Sequence, residues 1–290
     1  MLLKLIKYEF KATSSRFLQL FGISILTSIL TAILIPINIR NDNNYGVVSA
    51  IISFVIGLWI LVTITVSILT LILIIHRFYN SMVGKGAYFT YCIPASAESL
   101  VASKLIVSVV WYILSHLVVV LAVALVILSA SMTVVGSFDA NAFAELQRFY
   151  AEMRSYKEGM EFLSIISGMT NIYIIFMAVS TIYGIIMWYF SAAVGMQAQK
   201  HKVGLMILSI IGISTFMQVL SSVVMSADVF KFAMSANGFN GGYGEGIEAF
   251  KEFMNMQRIW IIKITVMSVI LSIVGFFGTV YLVKRHPNVT

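Results

Sequence analysis

Residues 47–75 read VVSAIISFVIGLWILVTITVSILTLILII, carry no charge, and give way at once to His76-Arg77. A bilayer core about 30 Å thick takes roughly 20 predominantly apolar helical residues to cross. This stretch is longer than that and holds no proline, so it reads as a membrane-spanning helix. Working outward, the same test finds five more uncharged or nearly uncharged stretches, at residues 17–37, 105–135, 162–194, 203–224 and 259–283. The predicted fold class is therefore all-α, a polytopic membrane protein with six transmembrane helices. Several stretches exceed the minimum length, which implies tilt or helix continuing beyond the hydrocarbon.

Composition agrees with this. The chain is 60% hydrophobic and 11% charged, whereas soluble domains run at roughly 45–50% apolar and about 25% charged. A water-soluble fold of that make-up has too few polar groups to cover its surface. Three prolines and nineteen glycines in 290 residues leave no Pro-rich linker or low-complexity tract, and residues 1–290 read as a single domain. Cys92 stands alone, which excludes an intrachain disulfide and a cysteine-based metal cluster.

Lys and Arg are retained on the cytoplasmic side during insertion. With the N-terminus inside, the inner segments carry eleven of them against only Glu9 and Glu98, a net charge of +9, while the outer segments carry eight against ten acids, a net of −2. Both termini are thus expected in the cytoplasm, with the protein multi-pass in the cell membrane. Because the basic residues sort by membrane side instead of forming one soluble patch, the overall +7 gives no reason to expect nucleic acid as a partner.

The lead before the first span, residues 1–16, places Lys4, Lys7 and Lys11 on one helical stripe and Leu2, Leu3, Leu5, Ile6 and Phe10 across from it. That pattern predicts an amphipathic helix lying in the inner interface, its lysines facing anionic lipid or a cytoplasmic partner. Two outer segments are too long for simple turns. In residues 136–161, Leu146, Phe149, Tyr150 and Met153 recur at helical spacing and predict an amphipathic helix. In residues 225–258 a glycine-rich centre, Gly238-Phe239-Asn240-Gly241-Gly242-Tyr243-Gly244, predicts a break between two short helices.

Catalytic signatures were sought and not found. No G-x-x-x-x-G-K-[ST] phosphate loop occurs, since Gly84-Lys85-Gly86 lacks both the glycine spacing and the hydroxyl. G-x-S-x-G, H-E-x-x-H and paired intramembrane carboxylates are missing too. The chain is not expected to be an enzyme, nor to hold a metal or cofactor of its own. His116 is the one ionisable side chain placed near mid-membrane, a position that marks functional candidates, although a neutral imidazole can equally hydrogen-bond within the bundle.

The segment between spans two and three, residues 76–104, is the most specific feature. It runs through Arg77-Phe78-Tyr79, Gly84-Lys85-Gly86-Ala87-Tyr88, Ile93-Pro94-Ala95-Ser96 and Ser103-Lys104-Leu105. Basic and aromatic stretches broken by glycine, then a proline turn and a new helix start, predict a structured loop and not a tether.

This loop, the N-terminal lead and the six-span layout with its long segment between spans five and six resemble the permease subunits of type-2 ABC exporters, the short Gram-positive kind. Such loops commonly carry an acidic residue where this chain has Lys85. The resemblance implies that residues 76–104 are a coupling loop contacting a separate dimer of ATP-binding subunits, which would carry the ATP and magnesium. It implies coupling roles for Arg77, Phe78, Tyr79, Gly86 and Tyr88, with Lys4, Lys7 and Lys11. It also implies a second permease chain, identical or different, and a substrate path assigned here to His116, Phe216 and Met217. The expected cargo is amphipathic or hydrophobic: an antimicrobial peptide, a drug or a lipid-like molecule. The competing expectation is a non-transporting immunity or sensor protein that binds a peptide at its outer face.

Overall fold

A computed structural model describes residues 1–40, 46–84, 86–134, 140–198, 200–236 and 243–285. The architecture is all-α: α1 (Leu2–Arg40), α2 (Val47–Met82), α3 (Ala87–Tyr91), α4 (Ala97–Val134), α5 (Ala140–Ser155), α6 (Lys157–Gly195), α7 (Lys202–Ala236) and α8 (Tyr243–Arg285). Among the described residues, six helices, α1, α2, α4, α6, α7 and α8, are long and apolar enough to cross a membrane. The chain is a multi-pass membrane protein in which the helices satisfy their own backbone groups, as hydrocarbon requires.

The helices overrun the predicted spans. α1 has 39 residues, which at 1.5 Å each extends about 58 Å, nearly twice the bilayer core. The lead is accordingly not a separate helix: it continues unbroken into the first span. No glycine or proline interrupts residues 11–17, and the Thr13 and Ser14 hydroxyls bond back to the Glu9 and Lys11 carbonyls. Leu3 departs from the predicted apolar face and is exposed. The outer segment after span five is likewise not two short helices, because α7 simply continues to Ala236 and α8 starts at Tyr243. The predicted break falls at residues 237–242, outside those described. The amphipathic helix predicted in residues 136–161 is α5; it ends at Ser155, and the extended backbone of Tyr156 (φ −99°, ψ 138°) separates it from α6.

The chain forms two compact units: residues 1–81 with 89–145, and residues 82–88 with 146–290. In the first, α1 packs along α4 around Trp111. Its indole stacks on Phe17 at 4.6 Å between centroids, with Phe10 and Phe21 tilted against it at 5.2 and 6.0 Å. The indole N–H donates to Thr13 Oγ1 at 2.8 Å. Farther along α1, buried Ser24, Ser28 and Thr31 form a small-residue face, the kind that lets helices approach closely in lipid. Trp59 of α2 donates to Ser28 Oγ at 2.9 Å, and Thr70 of α2 donates to Ser115 of α4 at 3.0 Å. Pro36 lies inside α1 and has no N–H to offer the carbonyl four residues back, that of Ala32. The Ser129 hydroxyl of α4 donates to that carbonyl instead.

In the second unit α6, α7 and α8 pack together. Gly275 and Gly278 bring α8 close to α6: a Cβ at either position would lie 2.8 Å from Met187 Cε or Phe190 Cε2. Gly195 closes the α6–α7 turn, where a Cβ would sit 2.6 Å from the Lys202 carbonyl oxygen.

Candidate functional site

The loop between α2 and α4 is built from its punctuation. α2 stops at Met82; Gly84 follows, and its carbonyl accepts from the Ala87 N–H at 2.9 Å, opening the one-turn α3. After Pro94, Ser96 caps α4: its Oγ accepts from the Ser99 N–H at 3.3 Å, the expected role of serine at an N-cap. Glu98 sits in that first turn, where the helix dipole favours an acid. Phe78, Met82, Val83 and Ala87 are buried, whereas Tyr88 is exposed and Phe89 is 82% exposed. Burial pushes the Tyr91 phenol up to about 12. Lys85 lies outside the described residues.

Glu9 organises the surroundings of this loop. Its Oε2 accepts from Arg77 Nε at 3.0 Å and lies 3.0 Å from Arg77 Nη2, so two guanidinium nitrogens converge on one oxygen. Its Oε1 accepts from Lys104 Nζ. Arg77 stands in the last turns of α2 and Lys104 in the second turn of α4, so one carboxylate on α1 joins the helices that enter and leave the loop. Exposure is graded: Lys104 is 5% exposed, Glu9 15% and Arg77 39%. Lys4, Lys7 and Lys11 are exposed on α1, and Tyr79 and Gly86 are half-buried.

The residues assigned to a substrate path are split between the units. His116, in the first, is exposed on α4; its Nδ1–H donates to the Tyr112 carbonyl at 2.9 Å and its ring lies 4.2 Å from the Tyr112 ring. Phe216 and Met217, in the second, come together with Tyr183, Met187 and Phe190 around a cavity of about 240 Å³. No group of three side chains able to hold a metal ion occurs among the described residues.

No family model matches the chain, and no curated protein or solved structure matches it either.

Two sets of interactions were missed in the sequence. The first is the Glu9 bridge, for which the usable signal is that Glu9 is the one acid in a lead with four basic residues. The second is the pairing of Lys263 on α8 with buried Asp228 on α7 at 2.6 Å, which no spacing rule links.

Proposed function

We propose that this chain is the membrane-spanning permease subunit of an ATP-driven exporter, energised by a separate pair of ATP-binding subunits. The observation that carries the reading is the Glu9 bridge. It fastens the N-terminal helix to both flanks of a loop whose short helix turns Tyr88 and Phe89 outward. Large exposed aromatics suit a docking contact, since aromatic side chains dominate interface energetics, and the helices that enter and leave the loop, α2 and α4, are both fastened to α1. In this reading both termini and the loop are cytoplasmic. Tyr88 and Phe89 touch the ATP-binding subunit, and Lys4, Lys7 and Lys11 face lipid headgroups or that subunit, while Phe78 is buried. A second permease chain completes the path, and the cargo is amphipathic or hydrophobic.

The test is co-purification of the tagged chain from its native membrane in mild detergent. Stoichiometric recovery of an ATP-binding subunit is expected, lost on Tyr88→Ala with Phe89→Ala while insertion and folding persist. Recovery of the chain alone, under conditions that preserve a known transporter complex, would refute the proposal and favour a non-transporting binding protein.

A further inference from the structure

Within the second unit, α6 and α8 line an open cavity of about 350 Å³. It is built by helical repetition: Ser164, Ile165 and Gly168 come from one stripe of α6, and Lys251, Met254, Asn255 and Arg258 from the facing stripe of α8. Its polar lining comprises two cations, an amide and a hydroxyl, with no carboxylate. Lys251 is ion-paired with Glu161, but Arg258 has no ion pair among the described residues. The nearby acids Glu252 and Asp228 line a different cavity, of about 240 Å³, on the α7 side of α8, sharing only Asn255 with the first. With Lys251 balanced by Glu161 and the Ser164 hydroxyl donated to the Glu161 carbonyl, the cavity keeps one net positive charge, that of Arg258, with the Asn255 amide as a further donor, above an apolar floor of Ile165, Met169 and Met254.

We infer that the α6–α8 cavity binds the phosphate group of an anionic amphiphile, with Arg258 and Lys251 on the phosphate and the first acyl carbons against Ile165, Met169 and Met254. A guanidinium matches phosphate bidentately, and the volume suits a headgroup with the start of a chain. Gly168 faces open space in the same wall, where an added Cβ meets nothing within 4 Å, leaving room for that chain. The inference is independent of transport, since it concerns only α6 and α8 in a bilayer. The same phosphate chemistry has two sources, a phospholipid of the bilayer or dissolved phosphate.

The experiment uses the full-length chain in detergent with dioleoyl phosphatidylglycerol as the probe, its retention per chain followed by native mass spectrometry and challenged with excess inorganic phosphate. Arg258→Gln should weaken retention roughly ten- to a hundredfold, the range for losing a charged hydrogen-bonding partner. Gly168→Leu, which fills the chain space and raises helix propensity, should weaken it too, while Lys284→Gln at the other end of α8 should not. Loss in both Arg258→Gln and Gly168→Leu, with no displacement by phosphate, supports a lipid source. Loss in Arg258→Gln alone, with displacement by phosphate, would overturn the amphiphile and assign the site to dissolved phosphate. Equal retention in all variants, or equal weakening by Lys284→Gln, would overturn the inference.

Discussion

Replacing Glu9 by Gln removes the charge while keeping the shape, and the graded exposure of its partners sets the cost. Lys104 is 5% exposed and loses its carboxylate counter-charge in a site that water barely reaches. Removing one partner of a buried pair costs about 3–5 kcal/mol. Arg77, 39% exposed, is solvated in either case and adds at most about 1 kcal/mol. Since Gln still accepts hydrogen bonds, the expected loss is near the lower figure, about 3 kcal/mol. Lys104→Met should cost less, because Glu9 keeps Arg77, and the double variant Glu9→Gln with Lys104→Met should recover most of the stability lost by Glu9→Gln alone. The assay is reversible unfolding of the full chain in mixed micelles, followed by tryptophan fluorescence, to which Trp111 next to this site contributes. A loss below about 1 kcal/mol for Glu9→Gln, the value of a solvated surface pair, or a double variant no more stable than Glu9→Gln, would refute the reasoning.

Three more outcomes can be checked on the same preparation. Ser129→Ala strips the Ala32 carbonyl of the donor that replaces the missing Pro36 N–H, and should cost about 1–3 kcal/mol; a Ser129→Ala, Pro36→Ala double variant, which restores the backbone N–H, should recover it in the unfolding assay. Gly195→Ala drives a Cβ into the Lys202 carbonyl oxygen and should cost about 1–3 kcal/mol through forced backbone movement, read as an earlier unfolding midpoint. The raised Tyr91 phenol holds its proton in the folded chain between pH 10.0, its ordinary value, and about 12. The folded state then binds more protons than the unfolded one, so stability falls as pH rises through that window. Tyr91→Phe should flatten the fall, and alkaline titration of tyrosinate absorbance should lose one late-titrating group.

The spans were legible because hydropathy is a local property: residues 47–75 announce a helix without reference to any other part of the chain. Helix ends were not, because the apolar signal stops at the edge of the hydrocarbon while the backbone hydrogen-bonding that makes the helix does not. That is why α1 absorbs the lead and why α7 and α8 run on beyond the predicted spans. The loop was readable from Gly84, Pro94 and Ser96, each acting within a few residues. Its anchor was not, since Glu9 stands 68 residues from Arg77 and 95 from Lys104, and nothing in their local sequence records the pairing.

The position of Glu9 also explains why so simple a device suffices. Arg77 and Lys104 are like charges held near one another at helix ends, and each disfavours the other's charged form. A single carboxylate placed among them relieves two cations at once, and its two oxygens face different helices. The Phe10, Phe17, Phe21 and Trp111 cluster already fixes α1 against α4, so the Lys104 contact mainly neutralises a charge that this packing buries. The Arg77 contact is the half-exposed one, and it ties the end of α2 to a pair of helices that already pack together without it. A force on the loop that displaces Arg77 must therefore either move α1 and α4 or break an ion pair whose exposed half is worth at most about 1 kcal/mol, and that weak link is the place where loop motion and helix motion can be uncoupled by Arg77→Gln without unfolding the unit.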